Sequence, residues 1–385
     1  SRVTLGSEVW SRIHAVAGEI ASMVDGVDID VDGEASNAPA LSAFASRLAD
    51  AKDHDPVVRE APTLSDAAAL IYTSGTTGLP KGCMHPHSSV MHNAMCGAIW
   101  NNGSHENIGL CVVPMFHITG LVTVMHCGMY LGATVVLMPR WDRDYAGSLI
   151  SRHRVTHWTN IPTMVIDLLG SPKFDQYDLS SLVAIGGGGA AMPQAVAQRL
   201  WELYGLRYIE GYGLTEATCL VSINPPDGEK KIGSIGLAFP YCDVKIMDLA
   251  TGKEAKTGEQ GEICVSNPGV SMGNTYTDES KNKDLYYPGK DSKTQYLRTG
   301  DLGRIDADGY LWITGRAKDL ILHNGRNIWP QDIEWAAEQI EPLRSGDVAA
   351  FAVENDEGED EVTVLVHCRM QDGASVEALR HEVSA

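Results

Sequence analysis

Tyr72-Thr73-Ser74-Gly75-Thr76-Thr77-Gly78-Leu79-Pro80-Lys81-Gly82 gathers three glycines, five hydroxyl-bearing side chains and a lysine into eleven residues. Glycine lets the backbone turn tightly and aim its N–H groups inward. The hydroxyls add donors and Lys81 adds a positive charge, so the run has the composition of a phosphate cradle. It is not a P-loop, because no Gly-Lys-Ser/Thr occurs and no helix starts directly after the lysine. A flexible Gly/Thr surface loop is the plain alternative, and so long an uninterrupted run argues against it.

Ala68–Tyr72, just before this run, reads as a buried strand ending in the glycine-rich turn. From about Ala67 to Pro240 apolar runs alternate with amphipathic stretches. Strands are expected at Ile108–Val113, Ala133–Met138, His157–Asn160, Leu182–Ile185 and Arg207–Ile209. Helices are expected at Gly120–Leu131, Asp144–His153 and Pro193–Tyr204, the last with proline in its first turn. Such alternation implies an α/β fold, with a parallel sheet covered on both faces. After Pro240 the short strands Asp243–Met247, Gly261–Ser266 and Tyr310–Thr314 lie between Gly, Asp and Asn turns, which suggests a small antiparallel sheet or barrel. A third texture begins near Gly315, with a helix at Gln331–Ile340 and strands at Val348–Val353 and Glu361–Cys368. The acidic stretch Glu354–Glu361 reads as a solvated hairpin tip. The expected division is an α/β core over 1–240, a β-rich subdomain over 241–314 and a smaller α+β unit over 315–385.

The chain has 385 residues, 44% hydrophobic and 21% charged, enough for two or three units around a large core. Its formal net charge of −20 argues against a nucleic-acid or membrane-surface partner. A local backbone nest can still bind an anion on an acidic protein. No stretch approaches the roughly 20 apolar residues of a membrane span. Ser1-Arg2-Val3-Thr4 lacks Met and a signal-peptide core, which reads as a processed or truncated end. The eight cysteines are scattered without a Cys-x-x-Cys pair, as expected of small buried hydrophobes in a reducing, cytoplasmic setting. His85, His87 and His92 straddle Pro86 without a familiar metal-ligand spacing.

The glycine-rich run resembles the signature loop of the adenylate-forming enzymes: acyl-CoA synthetases, aryl-CoA ligases, luciferases and peptide-synthetase adenylation domains. Four further segments match that family in order. Pro114-Met115-Phe116-His117 resembles its Pro-x-x-His segment, and Gly211-Tyr212-Gly213-Leu214-Thr215-Glu216 its Tyr-Gly-x-Thr-Glu motif. Thr299-Gly300-Asp301 resembles its ribose-binding motif. Gly315-Arg316-Ala317-Lys318-Asp319, followed by Asn324–Pro330, resembles its interdomain hinge and the loop after it.

The resemblance implies a large α/β domain with a β-rich subdomain and a mobile C-terminal domain, here incomplete. It implies two-step chemistry with ATP, Mg2+ and coenzyme A: a carboxylate forms an acyl-adenylate, and a thiol then displaces AMP. Lys81, Thr215 and Glu216 would be the catalytic set, with Glu216 on the metal by oxygen ligation. Thr73, Ser74, Gly75, Thr76, Thr77 and Gly78 would hold phosphates. Gly188, Glu210, Gly211 and Tyr212 would flank the base, and Asp301 and Arg316 would meet the ribose or phosphates. His117, Trp158 and Asn160 would line the acyl or thiol passage, and Lys318 or Asp319 would be the pivot. Each has a plain reading as well: core packing for Tyr212, a turn for Thr-Gly-Asp, a helix entry for Thr-Glu, and a surface ion pair for Arg316.

The sequence departs from the family at both ends. Only 71 residues precede Tyr72, and the chain stops at Ala385, before the Gly-Lys segment whose lysine serves adenylation. The resemblance therefore implies less than full activity for these residues alone. The texture is most similar to bacterial fatty acyl-CoA ligases. The alternatives are a fatty acyl-AMP ligase serving a carrier protein, an aryl-CoA ligase, or a degenerate nucleotide-binding module. An amino-acid substrate fits less well, since no carboxylate follows Ile185. A homodimer is the oligomer expected, if any.

Overall fold

The computed structural model describes residues 63–73, 80–270, 275–289, 294–323, 326–343, 346–354, 360–367 and 373–384. Ser74, Gly75, Thr76, Thr77 and Gly78 lie outside them, as do Cys368 and the centre of the acidic tip. All described residues belong to one compact unit, Thr63–Ala385.

β1 (Ala67–Thr73) and β2 (Lys81–Pro86) form an antiparallel pair, in which Thr73 faces Lys81. The expected burial of β1 does not hold: Leu70 is 48% and Tyr72 64% exposed, because the strand pairs only with β2 and stays out of the main sheet. Helix α1 (His87–Trp100) follows. The sequence does not signal it, because its buried positions include Ser89, His92, Asn93 and Gly97 as well as apolar residues.

The principal sheet has seven strands in the order β4-β3-β5-β6-β7-β8-β9. They are β3 (Ile108–Cys111), β4 (Thr134–Leu137), β5 (His157–Asn160), β6 (Ala184–Gly187), β7 (Ile209–Leu214), β8 (Cys219–Ile223) and β9 (Leu237–Ala238). The pairings from β4 through to β7 are parallel. β8 and β9 add an antiparallel edge that the alternation does not reveal. The expected helix Gly120–Leu131 is a wide, π-type stretch, Thr119–His126, tightening into α2 (Cys127–Leu131). α3 (Arg143–His153) is capped by Asp142, whose Oδ1 accepts from the Tyr145 N–H at 2.8 Å. α4 (Pro162–Leu169) begins on proline, and α5 (Gln194–Tyr204) ends at Gly205 with φ of 64°. Leu110, Ile150, Leu168 and Ile185 are at most 1% exposed at the centre of the core.

Two strands start later than their apolar runs suggest. β6 begins at Ala184 instead of Leu182 and carries Gly186 and Gly187. β7 begins at Ile209 and runs through Gly211-Tyr212-Gly213. The glycines are sterically required. A Cβ on Gly187 would lie 1.8 Å from the Asn160 carbonyl oxygen, and one on Gly188 would lie 2.3 Å from that of Gly211.

β10 (Asp243–Met247), β11 (Gly261–Ser266), β12 (Tyr286–Pro288), β13 (Gln295–Ile305) and β14 (Leu311–Arg316) form an antiparallel sheet around Ile263, Val265, Leu297 and Leu311. Thr299-Gly300-Asp301 lies inside the long β13, where a turn is the plain expectation. Gly300 takes φ of 72° there, and Asp301 is the register partner of Arg316. Beyond the short turn Ala317–Asp319 come two hairpins, β15 (Ile321–His323) with β16 (Arg326–Ile328), and β17 (Val348–Glu354) with β18 (Asp360–Val366). Helices α6 (Pro330–Ala337) and α7 (Gly373–Ser384) accompany them, with Ala337, Leu343, Val348 and Leu379 in a small core. Among the described residues, no helix is long and apolar enough to cross a membrane.

Candidate functional site

A cavity of about 1390 Å³ opens where the ends of β5, β6 and β7 approach β13 and β14. The parallel sheet contributes Gly186–Gly189, whose bare backbone forms a slot beside Gly211. Tyr212 extends from β7 into the interface between the two sheets. Its ring is buried, and its phenol donates to Asp301 Oδ2 at 2.5 Å. Arg316 Nε meets the other oxygen, Asp301 Oδ1, at 3.0 Å. Asp301 thus joins the β7 motif to Arg316, within the segment expected to be the hinge. Burial pushes its carboxyl pKa up, while Tyr212 and Arg316 pull it back. Burial, and then the Asp301 charge, push the Tyr212 phenol far up, so the phenol keeps its proton and donates.

Glu262 stands behind this cluster, 2% exposed. Its Oε2 takes Arg298 Nε at 3.0 Å and Nη2 at 2.9 Å, and its Oε1 accepts from the Gly300 N–H at 3.2 Å. Thr299, on the cavity wall, donates its hydroxyl to the Ile263 carbonyl at 2.7 Å. Glu262 therefore holds the Thr-Gly-Asp segment from beneath. Glu262 is not among the residues expected from the sequence; a charge within the apolar strand Gly261–Ser266 is the signal that could have found it.

Glu210 is also committed. Its two carboxylate oxygens accept the N–H groups of Met192 at 2.8 Å and Gly233 at 2.9 Å. Burial raises its pKa and those two bonds oppose the rise. Its side chain clasps two loops, so only its backbone is left to flank a ligand.

Thr215 and Glu216 open a short turn after β7. Glu216 is half-buried, and its Oε1 accepts from the phenol of Tyr276 at 2.5 Å. Lys81 is not part of the cavity wall; its Nζ sits 5.0 Å over the Tyr276 ring. Thr73, opposite Lys81, is on the wall. These two bracket the segment of the signature loop that lies outside the described residues. Tyr276 carries no motif, and nothing in the sequence singles it out.

His117 is exposed, and its Nδ1 accepts from the Thr119 N–H at 3.2 Å, an arrangement that starts the wide helix. Trp158 and Asn160 reach the wall from β5, but both face the core more than a passage. Trp158 stacks on Trp141 with centroids 5.9 Å apart, and Asn160 donates to the Trp158 carbonyl and accepts from Tyr208. Lys318 and Asp319 lie outside the cavity, about half exposed and 3.8 Å from each other. Gln331 and Trp335 of α6 reach the cavity, a contribution not expected from the sequence.

His85 is buried on β2, with its Nδ1 3.1 Å from Thr218 Oγ1. Because that hydroxyl donates to the Gly269 carbonyl at 2.8 Å, His85 carries its proton on Nδ1 and leaves Nε2 without a partner. Among the described residues no group of three or more His, Cys, Asp or Glu is placed to hold a metal by itself.

A family model described as AMP-binding enzyme matches residues 8–274. The long-chain-fatty-acid–CoA ligase of Bacillus subtilis is 35% identical over 322 residues, covering 83% of this chain and 55% of that protein. The indoleacetate–CoA ligase of Aromatoleum aromaticum is 34% identical over 329 residues, covering 84% and 61%. The crystal structure of ATP-bound MatB from Rhodopseudomonas palustris superposes with a TM-score of 0.74 at 25% identity, covering 89% of this chain and 70% of that one. The chain thus spans between half and two thirds of the length of these two curated relatives.

Proposed function

Because the chain belongs to the AMP-binding enzyme family, we propose that it activates a carboxylic acid with ATP and transfers the acyl group to the thiol of coenzyme A. In the first step a carboxylate oxygen bonds to the α-phosphorus, and the bond from that phosphorus to the pyrophosphate oxygen breaks. In the second step the thiol sulfur bonds to the acyl carbon, loses its proton, and releases AMP. Neither step needs a protein nucleophile; the protein's part is positioning and charge stabilisation.

One observation carries this reading. Three segments far apart in the sequence, Gly186–Gly189, Gly211–Glu216 and Thr299–Arg316, meet on the wall of one cavity. The Gly186–Gly189 backbone lines the cavity without a Cβ atom, and a flat base would lie against it beside Gly211. Asp301 and Arg316, both on the cavity wall, would meet the hydroxyls of a ribose. Lys81, with Thr76 and its neighbours in the loop, would hold the departing pyrophosphate. Mg2+ ordinarily binds through one or two carboxylates plus substrate phosphates. Glu216 fits that pattern: among the described residues its Oε1 is engaged by Tyr276, and its Oε2 has no protein partner. The metal would supply charge neutralisation on the phosphates.

A fatty acid is the proposed substrate. The wall that α1 and α2 contribute, including Gly97, Ala98, Cys127 and Leu131, carries no charged side chain, and the B. subtilis relative's name supports the same choice. An aryl acid is the second reading, favoured by the indoleacetate relative at nearly equal identity. We also keep the division at about 240 and 314 as a proposal, with the turn Ala317–Asp319 as the joint and Lys318 or Asp319 as its pivot.

The test is ATP–pyrophosphate exchange and thioester formation across a panel of fatty and aromatic acids. Exchange that depends on a long-chain acid is the expected result, and separate rates for the two steps would report on the joint. Nucleotide binding with no acid-dependent exchange would favour the degenerate binding module.

A further inference from the structure

We propose that Tyr276 is a positioning residue that fixes the Glu216 carboxylate and keeps it apart from Lys81. This rests on the function proposed above and extends it to a residue outside every motif.

Tyr276 is tied to β2 by its neighbours. The Met84 N–H donates to the Thr275 carbonyl at 3.0 Å, and the Thr277 N–H donates to the Gly82 carbonyl at 2.9 Å. The side chain is 6% exposed, so its position is set by packing. From there it touches both charges the proposed chemistry requires. The phenol meets Glu216 Oε1 at 2.5 Å, and the ring face lies 5.0 Å beneath Lys81 Nζ. Burial and the Glu216 charge both push the Tyr276 phenol pKa up, so it remains protonated and is the donor.

Two consequences follow from that geometry. A glutamate loses rotamer freedom only where something holds its end. The phenol holds Oε1 and so determines where Oε2 points. The aromatic face also gives the ammonium an electrostatic resting place. Without it, Lys81 and Glu216 would be free to pair directly, and each would be withdrawn from a bound metal–nucleotide. Partners that orient a ligating carboxylate are typically worth 10–100-fold in metal affinity.

The test titrates Mn2+ against the chain in the presence of ATP, followed by electron paramagnetic resonance, so no turnover is needed. Tyr276→Phe keeps the ring and removes the hydroxyl. Its half-saturating Mn2+ concentration should rise about 10-fold, while ATP binding without metal is unchanged. Adding Tyr276→Phe to Glu216→Gln should then produce no further rise. An unaltered Mn2+ titration in a folded Tyr276→Phe chain would overturn the assignment, as would equal effects of the substitution with and without Glu216. Should Tyr276→Phe fold poorly, the comparison of Tyr276→Trp with Glu216→Gln decides on the same two criteria. Mn2+·ATP binding that responds to Tyr276→Phe, in a protein showing no acid-dependent exchange, would retain this inference and discard the proposed reaction. No Mn2+·ATP binding by the unsubstituted chain would discard both.

Discussion

The β5–β6–β7 side of the cavity is shaped by side chains that are missing, and the β13–β14 side by side chains that are charged. On the first side, Gly186 to Gly188 let neighbouring backbones approach within distances no Cβ tolerates. On the second, Glu262 and Asp301 are buried carboxylates matched to Arg298 and Arg316. The first wall is steric, indifferent to pH and salt, and intolerant of a single methyl group. The second carries a desolvation cost that its hydrogen bonds offset, and its arginines stay partly exposed, Arg298 at 34% and Arg316 at 58%, so solvent can take over part of a lost bond and the wall is the more forgiving of the two.

Gly187→Ala should have the largest effect. Its Cβ would meet the Asn160 carbonyl oxygen at 1.8 Å, a backbone atom that cannot rotate away. Separating β5 from β6 to relieve this should cost more than about 4 kcal/mol, read as a collapse of the thermal transition or as insoluble protein. A melting temperature near that of the parent would break the contrast between the walls.

Acid should act elsewhere than on the charged wall. Burial raises the Asp301 pKa, so the folded chain takes up that proton earlier than the unfolded chain does, and mild acid does not unlock it. His85 has the opposite sign. Burial lowers its pKa from 6.5 to about 4, so the fold binds fewer protons than the unfolded chain in that window. Its contribution is fully present above about pH 6.5 and is lost as the pH falls towards 4. It amounts to about 3 kcal/mol at most. His85→Asn, whose amide can still donate to Thr218, should flatten the urea midpoint's dependence on pH over this range. Identical slopes in parent and variant would remove His85 as a source of acid sensitivity and leave the other histidines whose pKa burial lowers, His92, His117, His126 and His157.

Glu262→Gln should have the smallest effect, about 2 kcal/mol in urea unfolding. It keeps the shape under Gly300 while weakening the bond to Arg298. A loss as large as that of Gly187→Ala would mean the charged wall is no more forgiving than the steric one.

Much of this was readable beforehand where the signal is local. The strand–helix alternation from Ile108 to Ile209 and the antiparallel strands after Pro240 follow from patterning over a few residues. The motif segments Gly211–Glu216 and Thr299–Arg316 could be read, but the geometry linking them could not. That Tyr212, Asp301 and Arg316 share one hydrogen-bonded cluster depends on the pairing of β13 with β14 and on the packing of β7 against both. Helix α1 escaped because small and polar residues fill its buried face, which removes the hydrophobic period. Thr299–Asp301 looked like a turn because its left-handed glycine sits within a strand. Tyr276 was invisible because its importance comes from two contacts, with Lys81 and Glu216, that only folding creates.

Arg298 and Arg316 both line the cavity, yet each shares its charge with a buried carboxylate. Seen from several ångströms away, such matched pairs nearly cancel, and the far field is that of a chain with net charge −20. An anionic ligand is thus repelled on approach and attracted only at contact. At an ionic strength of about 0.1 M the Debye length is about 10 Å, which screens the approach more than the contact. The cavity consequently has the kinetics of a site reached against an electrostatic slope: added salt speeds arrival, where a basic funnel would be slowed by it.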